Sequence, residues 1–359
     1  MRLDARAYRI PTDAPEGDGT LTWSATTLVL VRASADGSVG IGWTYGPAAV
    51  AAVVPELLAP AVADLDPDDV PAAWLAMRRQ LRNAGRPGIG GLALSAADNA
   101  IWDLKARRLD LPLARLLGTV RHQVPIYGSG GFTTYDGETQ HRQLVGWTRD
   151  HGITRVKIKI GESWGADEDR DLARMAAARR SIGPDVELYV DANGGYTRKQ
   201  AVRVLRSAAD LDVRWFEEPV SSDDLTGLGM VRDQVCADVA AGEYGFDLVY
   251  FQRMVPYVDC LQIDVTRCGG ITEFLRVAAV AAAAGLEVSA HCAPHQHSAV
   301  TAAIPNLRHL EWFHDHVRIE SMLFEGAVPA TGGTAPVNLT EPGNGLVFRE
   351  TDADRYRVG

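Results

Sequence analysis

The sequence predicts an α/β barrel preceded by a smaller α+β domain, and three observations carry that expectation. Carboxylates close apolar runs at equal intervals: Asp191 ends ELYVDAN, Glu217 follows RWF and Glu243 ends ADVAAGE, each 26 residues after the last. That step holds one strand, one helix and their loops, and a (β/α)8 barrel gathers successive strand ends on one face. From Val124 onward short apolar runs alternate with Ala- and Arg-rich helical stretches, the pattern of βα units. The first ~115 residues lack this rhythm, which points to a separate domain. The expected division is residues 1–120 for the α+β domain, 121–325 for the barrel and 326–359 for a segment that packs back on the first domain.

In the first domain Ser24–Ala33 and Val39–Tyr45 are β-branched and aromatic runs joined by Ala35-Asp36-Gly37-Ser38, a hairpin signal. Helices are expected over Ala48–Leu65, Pro71–Asn83 and Leu92–Arg108; in the last, Ala93, Ala96, Ala97, Ala100, Ile101 and Leu104 form an apolar stripe at helical spacing. Barrel strands are expected at Val124–Gly128, Arg155–Ile160, Glu187–Asp191, Trp215–Glu217, Val239–Ala241, Cys260–Val265, Glu287–Ala290 and Arg308–Trp312. Helices over Arg170–Ser181, Arg198–Asp210 and Thr272–Ala284 lie between them. Roughly 24 residues per unit suits a compact barrel. The final helical unit, Arg318–Glu325, reads as short and degenerate, and Val328–Phe348, rich in Gly, Pro and Thr, is too irregular for another unit.

At 359 residues with a net charge of -10 and a pI near 5.4, the chain is ill suited to nucleic acid or an anionic membrane. The stretch Pro47–Leu65 is broken by Pro55, Glu56, Pro60 and Asp64 and does not read as a membrane span. MRLDARAYRIPTD carries charges where a signal peptide needs an apolar core. Cys236, Cys260, Cys268 and Cys292 show no CxxC pairing and read as free thiols of a reducing, cytoplasmic setting. No phosphate-binding loop or strand-linked GxGxxG is present, so nucleotide binding has no support.

Asp191, Glu217 and Glu243, gathered at strand ends, form an oxygen-only pocket of the kind Mg²⁺ prefers. Asn193 and Glu218 follow two of them and are placed to support the ligands. Lys157 and Lys159 in RVKIKIG are two apart, so both face the barrel interior while Val156, Ile158 and Ile160 face outward. Mutual repulsion and burial are expected to lower a lysine pKa, which suits a general base. Asp264 ends CLQID and His291 ends EVSAH on the next strand, a carboxylate–imidazole pair that forms a second acid/base. Glu311, in HLEWF, is expected to donate a hydrogen bond to a substrate oxygen if protonated. A zinc reading of His291, His295 and His297 is weak, because Pro294 interrupts regular structure between the first two.

These residues resemble the enolase superfamily and, within it, the mandelate racemase-like subgroup. The resemblance rests on KIK (Lys157 to Lys159), DAN (Asp191 to Asn193), EEP (Glu217 to Pro219), AGE (Ala241 to Glu243), IDVTRCGGITE (Ile263 to Glu273), SAH (Ser289 to His291) and HLEWF, in order. The stretch Leu94 to Gly118 also resembles the family's passage from capping domain to barrel. The resemblance implies a modified TIM barrel, (β/α)7β, under an N-terminal α+β capping domain, with Mg²⁺ on Asp191, Glu217 and Glu243. It implies Lys159 as one base tuned by Lys157, the His291–Asp264 dyad on the opposite face of the substrate, and Glu311 at the substrate carboxylate. Capping segments Thr12–Trp23 and Trp43–Tyr45 would select the distal end, with Trp23, Trp43 and Tyr45 as specificity residues. It also implies a homo-oligomer acting on a small carboxylate.

The expected reaction is dehydration of an acid sugar, an aldonate or aldarate, to a 2-keto-3-deoxy acid. Racemisation or epimerisation of a 2-hydroxy acid is the alternative, and a non-catalytic binding barrel the third reading.

Overall fold

The computed structural model describes residues 1–358. An antiparallel sheet opens the chain: β1 (Arg2–Gly17), β2 (Thr22–Ala35) and β3 (Ser38–Tyr45), with Arg357–Val358 added outside β1. The hairpin turns at Asp36-Gly37, both left-handed, as its strand twist requires. Sequence reasoning missed β1, because Pro11, Pro15 and several charges mask its alternation. Its register against β2 shifts between Pro11 and Glu16, where the prolines leave the ladder.

Both faces of this sheet are covered. Val29, Val31 and Ala33 pack on the helices of the same domain. Tyr8, Ile10, Leu28, Leu30 and Trp43 pack on the barrel side with Ile319, Leu323 and Phe324. A strand buried on both faces reads as a continuous apolar run, as LVLV does.

Residues 50–62 are helical throughout, with a π-helical turn at Val54–Leu58 around Pro55. Val50, Val54, Leu58 and Val62 form its buried stripe. The helix Ile89–Arg108 is buried on nearly every side and ties cap to barrel. Its Asn99 bonds the backbone of Val265 and Ile271, and its Asp98 accepts from the Thr272 backbone N–H at 2.9 Å, capping the helix Gly270–Ala283 from outside. A Cβ on Gly40 or Gly42 of β3 would collide with the backbone of this helix, so both must be glycine. Gly42→Ala is expected to destabilise by about 1–3 kcal/mol through overpacking. A change below about 0.5 kcal/mol in urea unfolding, the range of an uncrowded surface site, would contradict this close approach.

The barrel is formed by β4 (Gln123–Gly130), β5 (Arg155–Lys159), β6 (Glu187–Asp191), β7 (Val213–Glu217), β8 (Asp238–Ala241), β9 (Cys260–Ile263), β10 (Glu287–Ala290) and β11 (Leu307–Phe313), all parallel, closed by β11 on β4. Val156, Ile158 and Ile160 face the helical layer. Tyr127, Tyr189, Trp215, Ala240 and Cys260 fill the lower interior.

The helix after β11 spans His314–Leu323, longer than the degenerate unit expected. It leaves the barrel wall: Ile319 and Leu323 pack beneath the cap sheet, which makes the barrel a modified (β/α)7β form. The tail divides between the two bodies. Ala330, Ala335 and Val337 pack on the barrel, and Leu346 and Phe348 pack on the cap. Among the described residues no helix is long and apolar enough to cross a membrane, and all four cysteines are free.

Candidate active site

Strand register places the ionisable groups side by side. Lys159 pairs in register with Asp191, and Asp191 with Glu217, so three charged groups occupy neighbouring positions on one rim. Glu243 follows β8, Asp264 follows β9 and His291 follows β10. The backbone turns sharply just beyond: Asn193, Glu218, Cys292 and Ala293 are all left-handed, strain of the kind that collects at functional sites.

Asp191, Glu217 and Glu243 are buried, and each offers a carboxylate oxygen within 4.8 Å of the others'. Lys159 Nζ lies 2.5 Å from Asp191 and Lys157 Nζ 3.5 Å from it. Lys157 also bonds Glu217, and reaches Glu311 at 2.8 Å. Burial opposes the charge of Asp191, but Lys159 and Lys157 hold it below the ordinary carboxylate range. Burial and the charge of Asp191 push Glu217 up to about 8. Acids this close cannot all stay ionised without more positive charge.

His291 stands 3.3 Å from Glu243 Oε2 without completing a hydrogen bond, so that buried oxygen has no partner. An oxygen-only donor set, one raised acid and one orphaned buried oxygen together fit a hard divalent cation.

Both lysines differ from expectation. Burial pulls Lys157 down, but Glu217, Glu311, Tyr127 and Asp191 outweigh it and hold the amine well above its usual value. Lys159 is likewise raised, against its burial, chiefly by Asp191. Sequence reasoning set lysine against lysine; the barrel interleaves them with carboxylates.

Glu311 was expected to donate only if protonated. Ser129 Oγ donates to it at 2.6 Å and the Cys292 N–H at 3.0 Å. Burial favours protonation, but Lys157 holds it well below the usual range. These surroundings favour its ionised, accepting form over the protonated donor.

His291 Nδ1 donates to Asp264 Oδ2 at 2.8 Å, which leaves Nε2 facing the site. Burial lowers the imidazole pKa, but Glu243, Glu311 and Asp264 together raise it. Asp264 stays ionised despite burial, through His291 and Arg267.

The supporting residues act differently from expectation. Asn193 reaches Asp191 Oδ1 through its backbone N–H at 2.8 Å, while its buried side-chain oxygen has no partner. Glu218 bonds none of the three acids, and one of its buried oxygens is unpartnered. The histidines of HCAPHQH do not converge. His297 Nδ1 donates to the Ala293 carbonyl at 3.1 Å and Nε2 accepts the Val265 N–H at 2.8 Å, while His295 bonds Glu320.

Above the acids lies a cleft of about 580 Å³ between cap and barrel, reaching Lys159, Glu243 and His291. Trp23 lines it, its indole N–H donating to Glu16 at 2.8 Å and its ring edge-on to Phe132. Trp43 and Tyr45 do not line it. Trp43 is fully buried and donates to Glu320 at 3.1 Å. Tyr45 donates to the same carboxylate at 3.2 Å and stacks on His316 with 3.5 Å between ring centroids. Their strand faces the barrel, but the helix His314–Leu323 fills the space between.

Sequence reasoning also gave no role to Arg267, Tyr244 and Ser129, and set His316 aside as a loop or packing residue. Arg267 was within reach, three residues after Asp264 and pairing with it at 3.3 Å. Ser129 carried no signal, because it meets Glu311 only when β11 closes on β4.

With this geometry in hand, comparison with known proteins gives a consistent result. Residues 7–118 match the family described as mandelate racemase / muconate lactonizing enzyme, N-terminal domain, and residues 140–352 match enolase C-terminal domain-like. A mandelate racemase/muconate lactonizing enzyme-like protein from Rubrobacter xylanophilus superposes with a TM-score of 0.96 at 45% identity, covering 99% of each chain. The 3,6-anhydro-alpha-L-galactonate cycloisomerase of Streptomyces coelicolor is 31% identical over 100% of this chain and 99% of its own. The L-talarate/galactarate dehydratase of Salmonella typhimurium is 31% identical over 81% of this chain and 74% of its own. Its structure liganded with Mg and L-lyxarohydroxamate has a TM-score of 0.88 at 26% identity, covering 99% of this chain and 92% of that one.

Proposed function

We propose that this chain, which belongs to the mandelate racemase/muconate lactonizing enzyme family of the enolase superfamily, removes the α-proton of a carboxylate with Mg²⁺ and dehydrates an acid sugar, an aldonate or aldarate, to a 2-keto-3-deoxy acid. The observation that carries this reading is the order around the rim. Lys159 stands on β5, and Asp264 and His291 just beyond β9 and β10, with the three acids at the ends of the strands between. A carboxylate seated over the acids therefore meets a base on either side. The acid-sugar names of the Salmonella and Streptomyces relatives support the substrate class.

Asp191, Glu217 and Glu243 would hold Mg²⁺, whose charge would loosen the hold of Asp191 on Lys159 and stabilise the charge that develops on the substrate carboxylate. Lys159 would enter the step as the neutral amine, its extra proton having passed to solvent, and accept the α-proton at Nζ. Lys157, fixed by Glu311 and Glu217, remains an ammonium facing the same developing charge. The β-carbon–oxygen bond then breaks, and His291 delivers the proton from Nε2 so that the hydroxyl leaves as water. Asp264 holds the ring through Nδ1 both before the transfer, as imidazolium, and after it, as neutral imidazole. The resulting enol becomes the keto acid. Since a base stands on either side, 1,1-proton transfer on a 2-hydroxy acid is the second reading.

The test is a panel of acid sugars with Mg²⁺, scored by keto-acid formation. Keto acid from one or more supports dehydration. Its absence across the panel, with α-proton exchange into D₂O, moves the assignment to racemase or epimerase. Metal binding has its own readout. Mg²⁺ at about 100 times its Kd is expected to raise unfolding free energy by about 2.7 kcal/mol, and Asp191→Asn to lose most of that gain. No Mg²⁺-dependent shift in urea unfolding would remove the metal from the scheme.

A further inference from the structure

An aldarate carries a second carboxylate at the end remote from the reacting carbon, where the cap covers the cleft. A buried carboxylate needs a cation or a set of N–H donors there. From the cap the cleft is walled by Asp18, Leu21, Trp23, Thr26, Thr27 and Pro47. Among the described residues lining the cleft, the cap contributes no Lys, Arg or His.

The barrel-side cations near the mouth are engaged. Arg267 lies 3.3 Å from Asp264 and 3.4 Å from Glu243, with its guanidinium over the Tyr244 ring. His316 accepts the Ala293 N–H at 3.2 Å and is stacked under Tyr45, so it is neutral where it faces the cleft. Behind the wall the groups are acidic and paired. Glu16 accepts from Trp23, Asp315 pairs with Arg318 at 2.5 Å, and Asp13 pairs with His314 at 3.0 Å. Asp18 adds a negative charge to the wall itself. Neutral polar groups are available instead: Thr27 and Asn193 line the cleft, and the buried Asn193 side-chain oxygen has no partner. Both suit sugar hydroxyls.

We infer that the substrate is a monocarboxylate whose distal end is an uncharged, hydroxylated chain: an aldonate, not an aldarate. This rests on the acid-sugar reading above and narrows it. A second carboxylate would face a wall that carries the Asp18 carboxylate, while the Arg267 guanidinium at the same cleft is already shared by Asp264 and Glu243, and a like charge set against a ligand discriminates against it.

The experiment compares acids matched in configuration, D-gluconate with D-glucarate and D-galactonate with galactarate, on the Mg²⁺-loaded protein. Two readouts are taken: kcat/KM for keto acid, and calorimetric binding to the Lys159→Met variant, where turnover is blocked. The expected result is a preference of at least about tenfold for the aldonate of the bound configuration in both. Equal or better binding of the diacid overturns the inference while leaving dehydration intact. Binding that favours the monoacid, with no keto acid and no α-exchange from any substrate, overturns the proposed function but supports the charge assignment. No binding of either acid overturns both.

Discussion

Lys159→Met is expected to lower kcat for keto-acid formation by about 10²–10⁴-fold, the usual contribution of a positioned general base, and to abolish α-proton exchange in D₂O. The unbranched Met fills the path of the lysine stem without leaving a cavity, so the loss reports on the amine. His291→Asn separates the two halves of the reaction. Its amide can still donate to Asp264, which now accepts from Nδ1 at 2.8 Å, but it cannot release a proton to the departing hydroxyl. It is expected to retain exchange and lose product. The reverse pattern, with exchange lost in His291→Asn and kept in Lys159→Met, would make His291 the base. Near-normal turnover in either variant would remove that residue from the mechanism.

Glu320→Ala is expected to destabilise the protein by about 3–5 kcal/mol, the cost of breaking a buried charged network by deleting one partner. Glu320 is fully buried. It accepts from the Trp43 indole at 3.1 Å, the Tyr45 hydroxyl at 3.2 Å, His295 Nδ1 at 2.7 Å and the His295 N–H at 3.1 Å. Truncation strands all four donors between cap and barrel. Glu320→Gln keeps one acceptor oxygen and is expected to lose about 1–3 kcal/mol, the range for a buried donor left unpaired. Urea unfolding reads both. A loss below about 1 kcal/mol in Glu320→Ala, typical of a surface change, would show that the cap docks without this carboxylate. Because Tyr45 stacks on His316, which lines the cleft, the destabilised variant is also expected to show a raised KM.

Much of the site was legible in one dimension because two periods are local. The two-residue period of a strand places Lys157 and Lys159 on one side and Val156 and Ile158 on the other. The βα repeat brings Asp191, Glu217 and Glu243 to one rim. What those side chains touch was not legible in the same way. The lysine ammonium groups were expected to be weakened by each other, yet each is held charged by carboxylates from other strands. Glu311 was placed along its strand with a donor role only if protonated, and its surroundings, including Ser129 182 residues away, were not legible. Strand β1 escaped notice because its buried positions alternate with charges and prolines, and only pairing with β2 reveals their period.

The sequence by itself determined the barrel, the cap and the order of the ionisable residues around the rim, because periodicity and strand-end position are properties of short segments. Only the tertiary structure decided that Trp43 and Tyr45 dock the cap instead of lining the cleft, that Arg267 is tied to Asp264 and Glu243, and that the cap walls the cleft without a cation. Each of these depends on which surfaces meet when the ring closes and the helix His314–Leu323 slides under the cap sheet. Such contacts join residues far apart in the chain, and no local pattern specifies them.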